Sequence, residues 1–255
     1  MLLTIDIGNT NTVAGVFDNG KLIDLFRVAS NHSLTADECG FFVTGLLERM
    51  NIKSSDLDRV CIGSVVPSLT PIYEKMSEKY FKIEALIVSA AIKLPIKVVY
   101  ENPMAVGADR IANSVAAFDK FGGPIIIVDF GTTINFDVVT SDGQYLGGAI
   151  APGPEMSASQ LAAKAARLFE VRIEKPEHAI GKNTAESIKS GLFYGTVGQV
   201  DKIIDNIIEE LGAKPKVIGT GGLASDFHNH SKYIESIHPA LTLEGLKIIS
   251  DYQTA

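Results

Sequence analysis

Asp6-Ile7-Gly8-Asn9-Thr10-Asn11 returns in altered form as Asp129-Phe130-Gly131-Thr132-Thr133-Ile134, and no other feature restricts the fold of this chain as strongly. Each copy follows an apolar run, Leu2–Ile5 or Ile125–Val128, and leads into an alternating segment, Thr12–Phe17 or Asn135–Val139. Each then reaches a turn with glycine, Asn19-Gly20 or Asp142-Gly143. Asp129 stands 123 residues after Asp6, and Gly143 the same distance after Gly20, so the copies align without a gap. A strand–loop–strand unit therefore occurs twice, with a carboxylate and a glycine where its first strand ends. Glycine lets backbone N–H groups come close to an anion, and an acidic side chain beside it can hold a cation. Two such loops facing each other would grip the phosphates and metal of a nucleotide from both sides.

At 255 residues the chain can bury a large core and divide into two domains, in keeping with the repeat. The formal charge of −7, with scattered basic residues, argues against nucleic acid as a partner. Cys39 and Cys61 make neither a disulfide framework nor a zinc set. The N-terminus opens directly into a strand, without the layout of a signal peptide. No apolar run approaches the roughly 18 residues of a membrane span. The expectation is a soluble, cytoplasmic α/β protein that uses no membrane.

Three apolar segments open the chain as a meander: Leu2–Ile5, Thr12–Phe17 and Lys21–Val28. Thr35-x-x-Glu38 is a capping box ahead of a helix. A strand over Arg59–Gly63 runs into Ser64-Val65-Val66-Pro67, a helix follows over about Pro71–Tyr80, and Leu86–Val88 and Ile96–Val99 read as strands. A helix begins near Gly107. Gly122-Gly123-Pro124 breaks the chain, which gives domains of 1–120 and 121–255. In the second half, Tyr145–Ile150 reads as a strand and Met156–Phe169 as an Ala-rich helix. Asn183-x-x-Glu186 is a second capping box, opening a helical stretch to Leu211 interrupted at Gly191, Gly195 and Gly198. Lys216–Ile218 is a strand, Leu223–His230 a short helix, and Leu241–Tyr252 a closing amphipathic helix. The pattern implies sheets with helical layers and a ligand cleft between two similar halves.

Three segments imitate nucleotide motifs. Gly15–Lys21 matches a phosphate-binding loop until Leu22 stands where a hydroxyl should hold Mg²⁺, and it leads into a strand, so a hairpin turn is the better reading. Gly181-Lys182-Asn183-Thr184 fails on Pro176 and Asn183. Gly219-Thr220-Gly221-Gly222-Leu223-Ala224 fits G-x-G-x-x-A, yet too little chain follows for a Rossmann unit; a tight turn that seats an adenosine is the reading kept. His178, His228, His230 and His238 lack metal-ligand spacing and read as surface residues.

Taken in order, Asp6–Asn11, Ser64-Val65-Val66-Pro67, Tyr100-Glu101-Asn102-Pro103, Gly107-Ala108-Asp109-Arg110, Asp129–Thr132, Gly147–Gly153, Gly181–Thr184 and Thr220-Gly221-Gly222 resemble the type III pantothenate kinases. These belong to the superfamily of actin, hexokinase and acetate kinase, and the resemblance runs from residue 1 to about 252. It implies an α/β fold of two duplicated ribonuclease-H-like (actin-like ATPase) domains and a homodimer with shared active sites. It implies transfer of the ATP γ-phosphate to the 4′-hydroxyl of pantothenate, the first step of coenzyme A biosynthesis. By position, Asp6, Ile7, Gly8, Asn9, Thr10, Asn11, Thr12 and Val13 form the first phosphate loop and Thr132 contacts ATP. The resemblance further implies that Asp129 holds a monovalent cation, K⁺ or NH₄⁺. It implies that Tyr100, Gly107, Ala108, Asp109, Arg110 and Thr184 line the pantothenate site, with Asp109 as catalytic base and Thr184 reaching over from the partner subunit. One departure stands out. The family's second loop usually reads Gly-Thr-Ala-Thr-Thr-Phe-Asp, and here Thr133, Ile134 and Asn135 occupy its centre.

These residue types suit phosphoryl transfer, which needs positioning and charge neutralisation more than covalent help. Mg²⁺ takes one or two carboxylates and keeps water and phosphate oxygens, so Asp6 at a strand end fits as a ligand, direct or through water. A carboxylate at Asp109 can accept the proton of an attacking alcohol, and Arg110 can clamp a carboxylate or phosphate. The plainer alternatives are a first-turn acid favoured by the helix dipole and a surface ion pair. Asp129 mirrors Asp6 and has a rival reading as a second Mg²⁺ ligand, the monovalent ion being favoured by the resemblance alone; Thr184 reads also as a helix cap. The rival function is a non-catalytic relative of the same fold acting as a transcriptional accessory factor.

Overall fold

The computed structural model describes residues 1–164, 169 and 171–254. One compact unit comprises Met1–Lys120 together with Ala240–Ala255, and the other Phe121–Pro239. In the first, β1 (Leu2–Ile7), β2 (Asn11–Asp18) and β3 (Lys21–Ala29) form the antiparallel meander. Helix α1 (Ala36–Arg49) leads to β4 (Arg59–Ser64), α2 (Thr70–Met76) and β5 (Leu86–Ile87), and β6 (Lys97–Val98) and α3 (Ala108–Phe121) follow. The five-stranded sheet runs β3-β2-β1-β4-β5, with β4 parallel to β1 and β5 parallel to β4.

The second unit repeats this plan. Strands β7 (Ile125–Phe130), β8 (Thr133–Val139) and β9 (Gln144–Pro152) make an antiparallel meander. After α4 (Pro154–Lys164) and α5 (Thr184–Leu211), β10 (Lys216–Thr220) lies parallel to β7. Helix α6 (Ala224–Phe227) then leads to β11 (Ser236–Ile237), parallel to β10. Within this unit the order β9-β8-β7-β10-β11 has the connectivity and strand directions of β3-β2-β1-β4-β5. The expected helix over Met156–Phe169 is described only as far as Lys164; its residues 165–168 lie outside the described residues.

Central strands are apolar because both their faces are covered. Leu2, Leu3, Thr4 and Ile5 of β1 and Ile125–Val128 of β7 are all buried. Edge strand β3 has only exposed and half-buried positions instead. Beneath the first sheet, Ile5, Ile7, Val43, Leu47, Leu69 and Met76 form one core. Beneath the second, Phe130, Phe227 and Phe193 stack with ring centroids 5.6 and 5.3 Å apart. Burying each such ring removes apolar surface worth roughly 1.5–3 kcal/mol.

Local signals acted as expected. Thr35 Oγ1 accepts from the Glu38 N–H at 3.2 Å, and the Glu38 carboxylate accepts from the Thr35 N–H at 2.9 Å. Asn19 and Gly20 adopt φ of 47° and 79°, which makes the false phosphate loop at Gly15–Lys21 a hairpin turn. At the far end the compact units differ from a division at 120/121, because residues 240–254 pack with the first unit. Helix α7 (Leu241–Thr254) buries Leu241, Leu243, Leu246 and Ile249 and lies against β1, β2 and β4. The cause is local shape: a side chain at Gly245 would collide with the Ala112 carbonyl of α3, and Thr242 Oγ1 donates to Asn113 Oδ1 at 2.8 Å.

The gapless repeat also conceals a register change. Four residues, 8–11, separate the paired Ile7 and Thr12, but only three, 131–133, separate Phe130 and Ile134. The missing residue returns at the far turn, where five residues rather than four lie between paired positions, Val139–Tyr145 against Phe17–Leu22. Across β8 the true counterpart of Thr12 is therefore Ile134, and that of Val13 is Asn135.

Candidate active site

In the first unit, β1 delivers Asp6, half-buried, to the end of the sheet, beside Val13 on β2 and Gly63 on β4. The loop after it is closed by the Gly8 N–H donating to the Asn11 carbonyl at 3.0 Å. A Cβ on Gly8 would sit 2.9 Å from that same oxygen, which is why glycine is here. Asn9 and Thr10 are exposed and Asn11 and Val13 half-buried. Ile7 and Thr12 differ from the rest of the expected loop set. Ile7 is fully buried in the core, and the buried Thr12 hydroxyl faces Ser30 Oγ at 3.0 Å, so both side chains are turned into the unit.

Sequence reasoning missed Ser30. Its N–H donates to the Thr10 carbonyl at 2.9 Å and its hydroxyl to the Gly8 carbonyl at 2.6 Å. The signal was present: Ser30 precedes Gly153 by 123 residues, the offset already visible in the aspartates.

Asp109 joins Asp6 at this end of the sheet. The absent side chain of Gly63 makes room for Leu246 and for Ala108, whose Cβ lies 3.6 Å from where a Gly63 Cβ would stand. Helix α3 thus starts beside the residue paired with Asp6. The Ser64-Val65-Val66-Pro67 motif fills the gap between them. Val65 N–H donates to the Ile7 carbonyl at 3.0 Å, while Val65 Cγ1 would lie 3.2 Å from a Cβ on Gly107. The carboxylate of Asp109 folds back over Gly107, where any side chain would strike Oδ1, and Oδ1 accepts from the Arg110 N–H at 2.8 Å. Burial pushes the Asp109 carboxyl above the ordinary carboxylate range, against the opposing pull of the Arg110 N–H and guanidinium. Arg110 itself is buried, Gly107 is half-buried, and Tyr100 is exposed.

In the second unit, Asp129 is the next-to-last residue of β7 and half-buried, paired with Asn135 on β8 and Thr220 on β10. Gly221, at φ +91°, lies against it: a Cβ there would strike the Asp129 carboxylate and stand 2.6 Å from the Phe130 carbonyl. Leu223 N–H donates to that carbonyl at 3.2 Å, so the Gly219–Gly222 turn wraps the end of β7. A cavity of about 930 Å³ adjoins the turn, lined by Glu155, Ala158, Arg172, Leu223 and Asp226 among others. Thr132 is exposed, and its carbonyl accepts from the Gly153 N–H at 3.1 Å. The departure at the loop centre divides in two. Ile134 is fully buried in the core, whereas Thr133 and Asn135 share the Asp129 face, with Thr133 Oγ1 donating to Asn135 Oδ1 at 3.2 Å.

Thr184 is exposed as the first residue of α5, in a groove of about 630 Å³ that also involves Gly181, Asn183, Ile188 and Leu192. It is not the cap. Asn183 Oδ1 accepts the Glu186 N–H at 2.9 Å, and the Glu186 carboxylate reaches Lys182 N–H at 2.8 Å instead of completing the box at Asn183. Cys39 and Cys61 are buried with thiols pushed up to about 12, so neither supplies a thiolate. Among the described residues, no three His, Cys, Asp or Glu side chains form a ready metal cage, and no helix is long and apolar enough to cross a membrane.

Two units of one plan, each with a strand-end carboxylate beside a tied loop, define the fold of the actin-like and sugar-kinase proteins. The chain has a TM-score of 0.57 and 13% identity to a ROK hexokinase from Thermus thermophilus, covering 100% of this chain and 99% of that one. It has a TM-score of 0.60 and 21% identity to a putative Baf family transcriptional activator from Campylobacter jejuni, covering 99% and 98%. The family is narrower than the fold: residues 2–206 match the model of the type III pantothenate kinases, and this chain belongs to that family. It is 44% identical over 251 residues to the type III pantothenate kinase of Anaeromyxobacter sp. (strain Fw109-5), covering 98% of this chain and 99% of the relative. It is likewise 44% identical over 249 residues to that of Myxococcus xanthus (strain DK1622), covering 98% and 97%.

Proposed function

We propose that this protein transfers the γ-phosphate of ATP to the 4′-hydroxyl of pantothenate, opening the route to coenzyme A. The observation that carries the reading is the convergence of the Asp6 loop and Gly107–Arg110 at one sheet end, in a chain 44% identical end to end with two type III pantothenate kinases. Asp109 is the base. Burial raises its proton affinity above that of an exposed carboxylate, which favours its taking a hydroxyl proton. Arg110 offers a planar fork to the pantothenate carboxylate or the transferring group. Tyr100, Gly107, Ala108 and Thr184 complete the pantothenate site.

Asp6 through Val13 bind the ATP phosphates, chiefly through backbone N–H groups and the side chains of Asn9, Thr10 and Asn11, and Thr132 adds a second contact. ATP brings Mg²⁺, which neutralises phosphate charge, and a half-buried carboxylate at Asp6 suits an ion that takes one or two carboxylates and keeps most of its water. Asp129 holds K⁺ or NH₄⁺. The backbone of Gly221 and the Phe130 carbonyl close beside its carboxylate suit a large, weakly hydrated cation.

The active form is a homodimer in which the partner subunit supplies Thr184. Gly191, Gly195 and Gly198 on α5 are exposed with open space where side chains would stand, and Tyr194 on the same helix is exposed, which suits close packing against a second copy. The protein works in the cytoplasm without nucleic acid or membrane.

ADP release measured with MgATP, with and without pantothenate, in K⁺ and then in Na⁺, tests the reading. Pantothenate-dependent release in K⁺ is expected, and its absence at saturating ATP sinks the assignment. For the shared site, mixing Asp109→Asn with Thr184→Val subunits should recover activity, since one site of each heterodimer carries neither lesion. A fully active monomer in sedimentation would overturn the dimer.

A further inference from the structure

We propose that Ser30 sets the shape of the first phosphate loop, making it a positioning residue for phosphoryl transfer that acts through Gly8 and Thr10. The inference rests on the assignment of that loop to the ATP phosphates.

Ser30 holds the loop at two points, by its N–H to Thr10 and its hydroxyl to Gly8. A carbonyl only accepts, so the single hydroxyl proton of Ser30 is spent on Gly8. In the 3.0 Å contact between Thr12 Oγ1 and Ser30 Oγ, Thr12 must therefore be the donor. Thr12 is only 1% exposed and in turn contacts the hydroxyl of buried Tyr73, which burial pushes up to about 12. The relay behind the loop thus stays uncharged at physiological pH.

The consequence is one of sign as well as rigidity. The carbonyls of Gly8, Thr10 and Asn11 each accept a hydrogen bond from within the unit. A carbonyl aimed at phosphate repels it and an N–H attracts it, so carbonyls tied inward leave the loop fit for an anion. Breaking the Gly8 bond frees one carbonyl to swing.

The second unit supplies independent support. Gly153, 123 residues after Ser30, follows the equivalent strand and donates its N–H to the Thr132 carbonyl at 3.1 Å. A Cβ there would meet the Thr132 and Gly131 carbonyls at 2.5 and 2.6 Å, so no hydroxyl can be offered. The closing N–H bond therefore belongs to the duplicated plan, and the hydroxyl bond to the first loop alone.

Ser30→Ala and Ser30→Thr, compared with wild type by varying ATP and pantothenate separately and by thermal melts, test the proposal. Ser30→Ala should raise the ATP KM about threefold to tenfold, the scale of one lost hydrogen bond, with kcat within about twofold and pantothenate KM unmoved. Ser30→Thr, which keeps the hydroxyl, should restore the ATP KM. An alanine variant with wild-type ATP KM overturns the proposal, as does a parallel rise of both KM values tracking a lower Tm, or a threonine variant no better than alanine. A wild-type protein without ATP-dependent pantothenate phosphorylation would instead sink the site assignment beneath it.

Discussion

Ser30 and Gly153 make the same bond in the two halves of the chain: each follows the third strand of its meander and donates its N–H to the tip of the loop after the first, at 2.9 Å to Thr10 and 3.1 Å to Thr132. The loops are thus closed by their own meanders, and each depends on what the closing residue can accommodate.

Gly153→Ala should accordingly destabilise the protein by about 1–3 kcal/mol, since a Cβ forced against two carbonyls must displace the loop. Gly131→Ala is the control. Its Cβ would meet the Thr133 carbonyl at 3.6 Å, an ordinary contact, so stability should change by less than about 1 kcal/mol. Denaturant melts of the two variants decide the comparison.

Asp109→Asn keeps the size of the side chain but cannot take a proton. Removing a general base should lower kcat by about 10²–10⁴-fold while pantothenate binding weakens much less. A kcat within about threefold of wild type, with single-turnover quench excluding slow product release, would remove Asp109 from the mechanism.

The same variant predicts a pH signature in stability. A carboxyl raised by burial binds its proton more tightly folded than unfolded. Its stabilising contribution is full below the unfolded value and is lost as pH rises through the folded one. Asparagine has no such loss. Melts should show Asp109→Asn at least as stable as wild type near neutral pH, with any advantage shrinking in acid. A variant markedly less stable at neutral pH contradicts this.

Ile134→Thr restores a family hydroxyl to the second loop, yet places it in the core opposite Phe130. Stability should fall by about 2–3 kcal/mol without tighter ATP binding. Asn135→Thr changes the Asp129 face instead. It should barely move Tm but shift the K⁺ concentration for half-maximal activity, and an unchanged K⁺ curve would separate Asn135 from the cation.

Much of the molecule was readable in advance because its signals are short-range. The capping box at Thr35 and Glu38 and the turn at Asn19-Gly20 concern neighbours within a few residues. The register change across β8 was not readable. One residue fewer in a loop and one more in a turn cancel in any end-to-end count, and only hydrogen-bonded pairing separates them. Asn183 and Thr184 show the same limit on a smaller scale: either could cap a helix, and backbone geometry chose Asn183.

The sequence by itself determined the duplication, the two strand-end carboxylates, the Gly107–Arg110 motif and the family, because each lies in a contiguous string of residue types. Tertiary structure decided which strings meet. It put α7 against β1 and β4 of the first unit, where Gly245 and Thr242 fit α3. It seated Asp109 beside the strand end of Asp6 through the missing side chains of Gly63 and Gly107. It turned Thr12 and Ile134 inward and brought Ser30 under a loop far from it in the chain. Propensity and periodicity act over a few residues, whereas the burial of an apolar stripe or the satisfaction of a carbonyl depends on whichever distant segment offers the fit.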